Sequence, residues 1–85
     1  MAVNPWDPEN VVLQELITNC RSEAQLTQQQ LAKLLERPQS YVSKYESGER
    51  KLTLPEIRVI VECCGTNLTD FVQLYLKELT LIENK

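Results

Sequence analysis

Two segments of the chain, Thr27-Gln-Gln-Gln30 and Thr53-Leu-Pro-Glu56, set a threonine three residues ahead of a glutamine or glutamate, close before an apolar run. In such a capping box the hydroxyl accepts from a first-turn backbone N–H while the longer side chain returns to the threonine's own N–H. Each segment therefore marks a place where a helix must begin. Asp7-Pro8-Glu9 is a third start signal, with Asp7 as the cap, Pro8 in the first turn and Glu9 at the positive end of the dipole. Trp6 is placed to staple onto Val11. Between these starts the apolar residues recur at helical spacing: Val12, Leu13, Leu16, Ile17, Cys20 and Ala24, then Leu31, Ala32, Leu34 and Leu35, then Ile57, Ile60, Val61 and Cys64.

These signals predict five helices. The first covers about 8–23, the second runs from Thr27 to near Glu36, and the third starts at the Arg37-Pro38 step and stops at Gly48. The fourth opens at Thr53 and ends at Gly65, and the fifth, capped by Asn67 or Thr69, covers about 68–82. Val42 and Tyr45 are the inward positions of the third. No strand-like alternation, internal repeat or linker interrupts the pattern, so 1–85 reads as a single, compact, all-α domain. An 85-residue chain that is 42% hydrophobic is near the lower end of what one core can stabilise.

No stretch approaches a membrane span, and Met1–Asp7 lacks the basic and apolar regions of a secretory signal, so a cytoplasmic protein is expected. Cys20, Cys63 and Cys64 form neither a disulfide framework nor a metal-ligand spacing, and the chain has no histidine. They read as small hydrophobes within helices. No metal, cofactor or small-molecule ligand is expected. An enzyme is not expected either, because no glycine-rich phosphate loop occurs and no cysteine has an obvious base partner.

The formal net charge of −3 is unevenly spread. Residues 1–26 carry a net of −3 and residues 59–85 a net of −2, whereas residues 27–58 carry +2 through Lys33, Arg37, Lys44, Arg50, Lys51 and Arg58. That basic middle third contains two short helices joined by a three- or four-residue turn, about 27–47. The second of them has a polar and basic outer face, the pattern of a helix-turn-helix. Gln39 and Ser40 lie in its first turn, with Ser43 and Lys44 one turn later on roughly the same face, as entry into a DNA major groove requires.

The segment LTQQQLAKLLERPQSYVSKYESGERKLTLPEI resembles the helix-turn-helix of the Cro/CI-type regulators, the XRE family, in its T-Q-x-x-L-A start, its Q-S-Y-V-S-K-Y-E second helix and the G-E-R that follows. The resemblance extends over about residues 10–75. It implies a lambda-repressor-like fold and a bacterial or phage transcriptional regulator that binds a double-stranded DNA operator. The small size and long fifth helix are similar to the controller proteins of restriction–modification systems. The resemblance puts Gln39, Ser40 and Lys44 on base edges and Gln28 on a phosphate. It puts Tyr41 and Ser43 at the groove wall or backbone, and Arg50 and Lys51 at the next phosphates. Arg21 and Glu46 match a buried structural ion pair of the family. One departure is Glu36, where the family usually has glycine. A side chain there costs roughly 1 kcal/mol if the backbone is left-handed.

The fifth helix has more apolar residues than one core-facing stripe can hide, among them Tyr75, Leu76 and Leu79. Such an excess points to an interface, and a two-fold homodimer through these three residues is the expectation. The competing reading is a protein-interaction module that keeps the fold but binds a toxin, a sigma factor or another regulator. The polar and basic second helix weighs against it.

Overall fold

A computed structural model describes residues 8–83, with nothing described of the Glu83 side chain. The proposed Asp7 cap and Trp6 staple lie outside these residues. Five helices follow in order: α1 Pro8–Glu23, α2 Gln28–Leu34, α3 Gln39–Ser47, α4 Leu54–Cys63 and α5 Leu68–Glu83. No strand occurs among the described residues.

Both capping boxes form. Thr27 accepts from the Gln30 N–H at 3.1 Å and donates its own N–H to the Gln30 carboxamide at 2.8 Å. Thr53 and Glu56 exchange the same two bonds at 3.4 and 2.8 Å, with Pro55 in the first turn. Asn67, not Thr69, caps α5 by accepting from the Asp70 N–H at 2.9 Å.

Three helices end in one way, with paired backbone bonds reaching back over the last turn. In α1 these are Gln25 N–H to Ser22 and Leu26 N–H to Arg21; in α2, Glu36 to Lys33 and Arg37 to Ala32; in α4, Gly65 to Glu62 and Thr66 to Val61. Each pair needs one residue with a left-handed backbone, supplied by Gln25 at φ 61°, Glu36 at φ 55° and Gly65 at φ 86°. Because Glu36 takes this role, α2 ends at Leu34 and not near Glu36, and α3 starts at Gln39, a residue later than expected. Gly48, at φ 90°, ends α3 where a Cβ would lie 2.7 Å from the Gln14 amide nitrogen. Glycine suits that left-handed backbone, and the end of the Gln14 side chain would have to shift to admit any Cβ.

The core joins Val12, Leu16 and Ile17 of α1 to Leu31 and Ala32 of α2, Val42 and Tyr45 of α3, Ile57, Ile60 and Val61 of α4, and Phe71 of α5. Helix α1 is the hub, touching α3, α4 and α5. Leu34 is a correction: it was expected in the core but is 56% exposed. Leu35, also expected inward and four residues after Leu31 on the same face, does pack against the core. The three cysteines are free and half-buried against the core, as expected. Cys20 and Cys64 lie side by side, and the hydrogen bond between their thiols lowers the first and raises the second from the ordinary thiol value. No described helix is long and apolar enough to cross a membrane.

Candidate nucleic-acid interface

The elements that position α3 are short, so their geometry is set locally. Helix α2 closes through left-handed Glu36, Pro38 precedes the first turn of α3, and no side chain caps that turn. Buried Val42 and Tyr45 then fix the rotation of α3 about its axis. Gln39, Ser40 and Lys44 emerge exposed and Ser43 half-exposed, on the face away from the core. Lys44 has no ion pair among the described residues. Ser43 and Ser47 turn their hydroxyls back onto the carbonyls of Ser40 and Lys44 at 3.4 and 3.0 Å.

A chain of polar contacts runs behind this face. The Arg21 guanidinium donates to both Glu46 carboxylate oxygens, at 2.8 and 3.1 Å, and to the Leu26 carbonyl at 2.9 Å. The Glu46 side chain is only 7% exposed, and the bond to it holds Arg21 above even its usual high value. Glu46 also accepts from the Gln28 amide at 3.0 Å, and Gln28 in turn accepts from the Gln39 amide at 3.4 Å. The expected structural ion pair and the expected phosphate and base residues thus belong to one network. Nothing local in the sequence joins residues 11 or 18 positions apart, and that is why the network was not legible there.

Tyr41 heads a second network, toward α4. Its ring meets Tyr45 edge-on at 5.5 Å, and the guanidiniums of Arg37 and Arg50 lie 5.5 and 4.8 Å from its centroid. Its hydroxyl donates to Glu56 at 2.9 Å; burial first, and then this bond, raises its pKa. Arg50 donates to the same Glu56 oxygen at 2.7 Å. The backbone bond from Thr53 is the main cause that lowers the Glu56 pKa. Lys51 is exposed in the loop beyond. Arg37 was not singled out from the sequence, although a cation one residue before the proline of the turn was a signal available to it.

Two short helices at a left-handed turn, the first capped and packed on the core through Leu31 and Ala32 and the second offering a polar face, are a helix-turn-helix. A family model described as a helix-turn-helix domain matches residues 15–73, and the chain belongs to that family, a class of DNA-binding regulators. No curated protein and no solved structure matches the chain significantly.

Proposed function

We propose that the chain is a sequence-specific regulator of transcription, a repressor or autoregulator of the Cro/CI type, that reads the major groove of an operator with α3 as a homodimer. The carrying observation is the exposed row of Gln39, Ser40 and Lys44, with Gln39 braced from behind by Gln28. These side chains suit base edges, since glutamine pairs with adenine and lysine with guanine. Gln28, Ser43 and Lys51 flank the row and serve the phosphates; Tyr41 forms the groove wall.

Dimerisation is supported by the outer side of α5. Leu76 and Val72 are 54% and 36% exposed, and with Leu54 of α4, 61% exposed, they border an apolar groove floored by Ile57, Phe71 and Tyr75. Tyr75 and Leu79 are half-buried against the core, and the Tyr75 hydroxyl donates to Glu9 at 2.8 Å. Leu76 is therefore the contact residue of the proposed interface, with Tyr75 and Leu79 supporting it from beneath.

Selection of bound fragments from genomic DNA tests this reading and yields the operator. On that operator Lys44→Ala and Gln39→Ala each weaken binding by about 1–3 kcal/mol with the fold intact. Unchanged affinity and base preference in both variants would remove α3 as the reading helix. A wild-type protein that selects no DNA would instead favour the protein-interaction module.

A further inference from the structure

Two arginines share one phenol ring, but they are not in the same electrostatic state. Arg50, in the loop after α3, is stacked on Tyr41 and donates to Glu56 at 2.7 Å and to the Lys51 carbonyl at 3.2 Å. Glu56 is itself pinned, because one carboxylate oxygen closes the α4 capping box with Thr53 and the other holds both Tyr41 and Arg50. The Arg50 guanidinium already spends two of its nitrogens on Glu56 and the Lys51 carbonyl, and the carboxylate offsets the charge it would bring to a phosphate. Arg37, in the turn before α3, has the ring contact but no carboxylate partner among the described residues. Its charge is uncompensated, and the flat face of Tyr41 limits where the guanidinium can sit.

We infer that Arg37 is the phosphate-contacting arginine of this interface, aimed by the Tyr41 ring, and that Glu56 withholds Arg50 from the DNA. This rests on the DNA-binding reading and adds to it a residue and a restraint. Arg50 then acts as a positioning residue, fixing Tyr41 against the start of α4. Lysine would not substitute for Arg37, since a planar guanidinium both stacks on a ring and forks onto a phosphate.

The test is the salt dependence of binding to a short mixed-sequence DNA duplex, where each neutralised phosphate contributes about 0.9 to the slope of log affinity against log salt. Arg37→Ala should make the slope shallower by about 0.9, and Arg50→Ala should leave it at the wild-type value. Glu56→Gln keeps an oxygen for the Thr53 N–H, frees Arg50, and should steepen the slope by about 0.9. Tyr41→Leu should reduce the Arg37 contribution, and Tyr41→Phe should preserve it. An Arg37→Ala slope equal to wild type, or an Arg50→Ala slope as shallow as that expected for Arg37→Ala, overturns the assignment while leaving DNA binding intact. A wild-type protein that does not bind the duplex at any salt overturns the DNA-binding reading, and this inference with it.

Discussion

Gln25 and Glu36 hold left-handed backbone conformations that side chains adopt at a cost of roughly 1–2 kcal/mol. Glycine removes that cost but loses more freedom on folding, so the two effects partly cancel. Glu36→Gly should raise stability by about 1 kcal/mol, which for a domain of this size lifts the melting temperature by about 4–8 °C. A lower melting temperature would show that the carboxylate makes a stabilising contact. Tyr45 presents the opposite kind of strain. Its ring is 2% exposed at the centre of the core, and its hydroxyl is buried with no hydrogen-bond partner among the described residues. Burial drives the phenol pKa well above its usual range. Tyr45→Phe keeps the ring, its packing and the edge-on contact with Tyr41, and removes only the unpaired polar atom. Stability should be equal to wild type or higher by up to about 2 kcal/mol in thermal melts. A loss of more than about 1 kcal/mol would mean the hydroxyl is satisfied.

At the scale of elements, α3 is held at both ends by side chains from elsewhere. Arg21 at the end of α1 and Gln28 at the start of α2 meet on Glu46 near the end of α3, while Gln39 at its start reaches back to Gln28. The ion pair therefore does more than join two helices. Glu46→Ala should destabilise the fold by about 3 kcal/mol, because it leaves the nearly buried Arg21 without a counter-charge, with only the Leu26 carbonyl to accept from it. It should also blur discrimination at the base that Gln39 is proposed to read, since Gln28 loses its anchor. Melting curves together with binding to operator variants check this. Lost stability with unchanged discrimination would reduce the pair to a structural role, the one the family resemblance implies.

For the whole molecule, α1 carries most of the packing, and the outer groove between α4 and α5 is left apolar and open. One recognition helix offers few base contacts, and coupling two of them multiplies affinity through effective concentration. A two-fold pair would read half-sites about 34–36 Å apart. Leu76→Glu, at a position 54% exposed, should leave a folded protein that sediments as a monomer and binds its operator far more weakly. Wild-type protein that sediments as a monomer at micromolar concentration, yet binds tightly, would rule out this interface.

Local interactions were legible in the residues alone. Capping boxes, prolines and glycines act within a few positions, so the number of helices, their order and most of their starts followed from the sequence, and Gln39, Ser40 and Lys44 were placed on the outer face by helical spacing. What depends on contact between distant segments was decided only by folding. Of the neighbours Leu34 and Leu35 only Leu35 reached the core, Gln25 became a left-handed helix end that no glycine announced, and Arg37 met Arg50 over Tyr41. Helical periodicity says which face is apolar. It does not say which neighbour covers that face, nor which carboxylate a given arginine will find, because both depend on how the helices cross.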